Sequence, residues 1–279
     1  MHAEQVTDPV AYHGEGPVWS ERWGGLRWVD MLAGDVLSLA ADGTVERRRV
    51  ASVAAALRPR RGGGAVLGIE RGFALEDADG TIVRLDELWT DERLRMNEGA
   101  CDPDGRFYCG SMAYDKQPGA GALYRLDPDR SVHAVLEGVT ISNGLDWSPD
   151  GSLAYYNDTD TGRVDVFDYE RDAGLRDRRP FVETGARPDG LTVDDEGGVW
   201  VALANAGAVR RYAADGALDE VVELPVTKVT ACTFGGPELD QLFITTSREG
   251  LDPGAEPQAG SLFRAIPGVR GRPVGEFAG

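Results

Sequence analysis

The sequence predicts an all-β protein, a six-bladed β-propeller with about four antiparallel strands per blade, on three observations. An acidic or amide residue stands directly before glycine in four similar settings, Glu15-Gly16, Glu98-Gly99, Asn143-Gly144 and Asp189-Gly190. From Gly16 the later glycines fall close to multiples of about 45 residues, an interval that marks a repeat. The third observation is negative: no amphipathic helical stretch of ordinary length competes with the short apolar runs.

Taken in order, each unit offers a first apolar run, a tight polar turn, a second run, a loop and a third run. The second runs lie at 26–29, 65–69, 106–109, 153–156, 199–203 and 242–245, and the third at 36–39, 73–75, 122–124, 164–167, 208–212 and 261–263. They are too short for helices, rich in β-branched and aromatic residues, and bounded by Gly, Pro, Asp and Asn, so they read as strands. The turns 102–105, 148–151 and 194–197 place Pro or Asp before a glycine suited to positive φ, which reads as hairpin chemistry rather than a calcium loop. Residues 158–162 resemble the start of an EF-hand loop, but Gly162 takes the third ligand position and Tyr169 the place of the closing Glu, so a hairpin turn is expected. Residues before His13 are expected to pair with the last blade and close the ring. No Ser- or Pro-rich linker interrupts the repeats, and one domain over 1–279 is expected.

Composition narrows the partners. A formal charge of −18 over 279 residues repels a phosphate backbone, which argues against nucleic acid. The basic cluster Arg58, Arg60, Arg61 before three glycines lacks the Lys-Ser/Thr ending of a P-loop and reads as a solvated hairpin. Cys101, Cys109 and Cys232 are not at zinc-knuckle spacing and read as small buried residues in a reducing compartment. Without an apolar leader or a membrane-length run, the expectation is a soluble cytoplasmic protein with no membrane partner. Oligomeric state is not legible. With three histidines and no Gly-x-Ser-x-Gly elbow, neither the common nucleophilic hydrolase nor a His-rich zinc site is available. What remains is carboxylate, amide and water around a divalent cation.

A radial arrangement turns the residues before Gly16, Gly99, Gly144 and Gly190 toward one mouth of the channel. Asn143 and Asp189 taken singly could simply cap turns; four such residues in register make a hard-metal site the stronger reading. Two long loops, 112–121 and 248–260, belong to the same face and suggest a lid or specificity wall.

Gly14-Glu15-Gly16-Pro17-Val18-Trp19, Arg95-Met96-Asn97-Glu98-Gly99, Ile141-Ser142-Asn143-Gly144-Leu145-Asp146-Trp147-Ser148, Arg187-Pro188-Asp189-Gly190 and Thr230-Ala231-Cys232-Thr233-Phe234-Gly235-Gly236 resemble, in order and over nearly the whole chain, the senescence-marker-protein, regucalcin and gluconolactonase family. The resemblance implies a propeller that binds one divalent metal through Glu15, Asn143 and Asp189 and hydrolyses sugar lactones, with Arg95 and Asn97 as substrate contacts and a place in carbohydrate metabolism. The expected chemistry is polarisation of the lactone carbonyl by the cation, with Asp189 as general base for water and then general acid for the ring oxygen. Ca²⁺ leads among the candidate ions, with Zn²⁺, Mn²⁺, Mg²⁺ and Fe²⁺ also compatible.

Departures from the family pattern fall at the substrate side. Glu98 stands where Asp is usual, its carboxylate one methylene further into the substrate space or a neighbouring contact, and Lys116-Gln117-Pro118 occupies a lid position where some members carry an acidic contact. Lys228, in the matching Lys-x-Thr segment, is expected to face solvent. Two other readings stay open: hydrolysis of another ester, such as an aromatic lactone or an organophosphate, and a non-catalytic metal-binding propeller.

Overall fold

Strand pairing in the computed structural model, which describes residues 1–279, gives six four-stranded antiparallel sheets. The innermost strands are Gly14–Ser20, Ala54–Pro59, Leu94–Cys101, Ser142–Trp147, Pro188–Val193 and Val229–Gly235. Each packs on the next, and the sixth packs back on the first, so the sheets form a closed ring of blades around a channel. The only helical pieces are three-residue 3₁₀ turns, one of them Thr159–Thr161, closed by left-handed Gly162 in the expected hairpin.

Apolar side chains on both faces of each blade are buried against its neighbours, so the core is divided among the interfaces rather than gathered at the centre. Trp200, Val209, Phe234 and Phe263 fill the seam between blades five and six. Tyr108, Trp147, Tyr156 and Phe167 fill that between three and four. The outermost strands, such as Val45–Arg49 and Gly174–Glu183, are largely exposed and charged, a pattern that discourages edge-to-edge pairing.

The ring is closed by the N-terminus as anticipated: Glu4–Gln5 pairs with Phe263–Ala265 as the outer strand of blade six. The third strand of that blade begins two residues later than its apolar run suggests. Ser261 and Leu262 are drawn off by Thr246 and the N-terminal segment, with Leu262 O accepting from Val6 N and Leu262 N donating to Thr7 Oγ1.

At the far mouth the chain from Arg270 to Gly279 is tacked across all six blades. Its bonds reach Asp195, Leu239, Trp147, Arg22, Pro59 and Gly105 in turn. Arg58 lies over this end of the channel rather than in a solvated hairpin, and Arg60 donates to Gly279 O. The acidic turns act as hairpin caps: Asp102 Oδ1 accepts from Asp104 N and Arg106 N, and Asp194 Oδ1 from Glu196 N and Gly198 N. No helix is long and apolar enough to cross a membrane.

Candidate active site

Each innermost strand carries a bulge at the same place. Four steps along it, as from Gly14 to Val18, pass against three on its partner, as from Asp30 to Arg27. The same count holds at Ala54–Arg58, Met96–Ala100, Ser142–Asp146, Pro188–Thr192 and Val229–Thr233. A bulge bends the strand and re-aims the extra residue. Here it turns one side chain per blade toward the axis: Glu15, Ala55, Asn97, Asn143, Asp189 and Thr230.

This register corrects one alignment drawn from the sequence. The residue equivalent to Glu15, Asn143 and Asp189 is Asn97, not Glu98, and Glu98 occupies the place taken elsewhere by Gly16, Gly144 and Gly190. Its side chain therefore turns down the channel and does not line the substrate-side cavity. Oε1 accepts from Gly99 N at 2.9 Å, and a Cβ added to Gly16 would lie 3.6 Å from it. The small residues at the equivalent positions make the space that this carboxylate fills.

Two residues before each re-aimed position the strand presents a second tier, His13, Val53, Arg95, Ile141, Arg187 and Lys228. Together with the first tier, and with the exception of blade two, these residues wall a cavity of about 370 Å³. The two long loops complete its rim with Tyr114, Lys116 and Glu249. Arg95, buried, lies under the Tyr114 ring with its guanidinium carbon 5.7 Å from the centroid, so it is no surface residue. Lys228 also faces the cavity rather than open solvent, its ammonium donating to Glu249 O.

The oxygens of the first tier divide into satisfied and unsatisfied. Asn97 is engaged at both ends of its amide: Oδ1 accepts from Arg95 Nη1 at 2.6 Å and Nδ2 donates to Ser142 O at 2.8 Å. Asn143 donates through Nδ2 to Thr159 Oγ1 at 3.0 Å, which fixes its amide with Oδ1 left unpartnered. Glu15 Oε2 and Asp189 Oδ1 are likewise buried without a partner. Unsatisfied buried oxygens cost free energy unless something binds them. Two carboxylates and an amide oxygen suit a hard divalent cation. No group of three or more His, Cys, Asp or Glu is placed to hold an ion; the third donor here is the Asn143 amide.

The electrostatics agree. Burial, then the field of Glu98, pushes the Asp189 carboxyl up to about 8. Burial followed by the charges of Asp189 and Glu98 raises Glu15 well above the usual carboxylate range. Two mutually repelling buried carboxylates are surroundings that a cation would stabilise.

Several contributors were not singled out in the sequence. Asn157, fully buried, donates to Asp189 O at 2.6 Å and holds the backbone of the bulge. His13 Nε2 lies 3.5 Å from Glu15 Oε1. Burial, then Arg95, Lys228 and Lys116, lower the His13 pKa to about 3 and keep the ring neutral. Asp30 accepts from Tyr12 N and His13 N, as Asp158 does from Thr140 N and Ile141 N. The repeat spacing carried this signal: His13, Arg95, Arg187 and Lys228 each stand two residues before a first-tier position. All three cysteines are free and buried, with burial pushing their thiols up, which leaves them no part in this chemistry.

Residues 13–248 match the SMP-30/gluconolactonase/LRE-like region. The chain belongs to that family. Regucalcin from Oryctolagus cuniculus is 36% identical to it, over 99% of this chain and 98% of its own. Among solved structures, the calcium-binding protein regucalcin from Agrobacterium tumefaciens superposes with a TM-score of 0.92 at 28% identity, covering 99% of this chain and 97% of its own. A gluconolactonase from Xanthomonas campestris superposes with a TM-score of 0.77 at 25% identity, over 93% of this chain and 87% of its own. Membership in the SMP-30/gluconolactonase family thus extends over the strands that carry both tiers of the cavity.

Proposed function

We propose that this protein is a metal-dependent lactonase, opening a sugar lactone to its hydroxy acid at the cavity between the two loops. The observation that carries the reading is the set of three buried, unpartnered oxygens, Glu15 Oε2, Asn143 Oδ1 and Asp189 Oδ1, on the wall of one cavity. Family membership and the likeness to a gluconolactonase supply the reaction class. The likeness to regucalcin, a calcium-binding protein, keeps Ca²⁺ first among the ions.

Glu15, Asn143 and Asp189 would hold the cation, which when bound supplies a Lewis acid for the lactone carbonyl. Asp189, whose carboxylate the cation would keep ionised, would take a proton from water and return it to the departing ring oxygen. Arg95 and Asn97 form a rigid pair whose remaining donors orient substrate hydroxyls. Asn157 and Thr159 hold Asp189 and Asn143 in place from behind.

The test is acid release from a panel of aldonolactones and dihydrocoumarin by chelator-treated protein, with Ca²⁺, Mg²⁺, Mn²⁺, Zn²⁺ or Fe²⁺ added singly. Metal-dependent release above spontaneous hydrolysis is expected. Tight metal binding with no release from any lactone would leave a non-catalytic binding protein instead.

A further inference from the structure

The chain has 29 Lys and Arg residues, of which two are lysines, Lys116 and Lys228, and both line the active-site cavity. They arrive from different parts of the fold. Lys228 stands in the second tier, two residues before Thr230. Lys116 is in the first long loop, in a left-handed backbone conformation with φ 59°, where glycine or asparagine is the easier residue. The same wall carries Arg95 and Arg187.

These cations are poorly matched by carboxylates. In a protein with 47 acidic residues, Arg95, Lys116 and Lys228 have none within 4.0 Å, and Arg187 reaches only Asp160, at 3.8 Å, with both side chains about half exposed. Acidic groups on the cavity wall are Glu15, Asp189 and Glu249. Once a divalent cation offsets Glu15 and Asp189, four cationic side chains face Glu249 alone. Glu249 offers Lys228 its backbone carbonyl, leaving two ammonium protons unused. A field of this sign on an acidic surface draws and holds anions at the mouth.

Resting on the lactonase reading, we infer that the preferred substrate is a lactone bearing an anionic group away from the reacting carbonyl, held by Lys116, Lys228 and Arg187. A carboxylate, as in the monolactone of a dicarboxylic sugar acid, and a phosphate ester on the sugar both supply that charge. Lysine suits either as a compact donor of charge and hydrogen bonds at the end of a flexible stem, while Arg95 is committed to Asn97.

The experiment compares kcat/KM for three lactones of one ring size: an uncharged aldonolactone, a hexaric acid monolactone and a phosphorylated aldonolactone. It also follows binding of the open-chain hexarate and aldonate by calorimetry. At least one anionic lactone is expected to exceed the neutral one by tenfold or more, with an advantage that shrinks as salt is raised. Lys116→Gln and Lys228→Gln should each reduce that ratio severalfold. If the neutral lactone is turned over as well as both anionic ones, the inference fails and the lactonase reading stands. Hexarate binding that both variants weaken, without hydrolysis of any lactone, overturns the lactonase reading and keeps the anion site. Neither hydrolysis nor selective hexarate binding overturns both.

Discussion

His13 links Glu15 to the last blade: its Nε2 is 3.5 Å from Glu15 Oε1 while its Nδ1 lies 2.7 Å from Ser247 Oγ. A neutral ring that accepts from the Ser247 hydroxyl at Nδ1 carries its proton on Nε2, facing the carboxylate, and so backs Glu15 without competing for positive charge. Replacing His13 by Ala should weaken divalent-cation binding by about 10–100-fold, measured by calorimetry on chelated protein. His13→Gln, which keeps a donor, should recover part of that loss. Unchanged affinity in both variants would remove the positioning role.

Asp189→Asn keeps the shape and a metal-binding oxygen but loses the proton acceptor. Turnover should drop by about 10²–10⁴-fold while circular dichroism and the urea midpoint show an intact fold. Wild-type rates in this variant would exclude Asp189 as the base.

The raised carboxyls give the metal-free protein a pH signature. Asp189, at about 8, and Glu15 keep protons that an unfolded chain releases near pH 4. Their contribution to stability is therefore complete below about pH 4 and is lost as pH rises, that of Asp189 through about 8. His13 acts on the other side. Its folded pKa of about 3 lies below the unfolded value, so stability falls as pH drops from about 6.5 toward 3. Thermal scans of chelated protein should show Tm declining between pH 5 and 8. Asp189→Asn should flatten that limb, and so should saturating divalent cation. A Tm that rises over this range would contradict the assigned environment.

Close packing at the axis predicts a cost for a single methyl group. A Cβ on Gly190 would lie 2.4 Å from Ala231 Cβ and 2.8 Å from its Cα, with no flexible side chain to yield. Gly190→Ala should destabilise the protein by about 1–3 kcal/mol, read from urea unfolding. It should also lower activity by displacing Asp189. A neutral effect would mean that the bulges have more room than their geometry indicates.

Much of the ring was legible because its strands are short and bounded by turn residues. Five of the six third runs fall inside observed strands; the exception, at 261–263, was decided by the distant N-terminal segment. Glu15, Asn143 and Asp189 were legible because each precedes a glycine, but that rule misplaced blade three, where Asn97 holds the equivalent position and Glu98 the glycine's. A bulge is an offset between two strands, so no single run of residues reveals it. Lys228 faces the cavity and not solvent, the usual place of a lysine; the second tier of a ring appears only when all six repeats are superposed. Asn157 stands one residue past the run at 153–156, and its bond to Asp189 O crosses from one blade to the next.

The pairing of Gln5 with Phe263 has a kinetic side. Five blades consist of hairpins whose contacts are local in the chain, and such contacts form quickly. Blade six needs a strand from the opposite end, and closing so long a loop comes late and slowly. Until that happens, Glu15 and His13 on blade one are not fixed against Lys228, Ser247 and Glu249 on blade six. The cavity is thus expected to form with ring closure, and recovery of activity on refolding should lag behind recovery of strand signal.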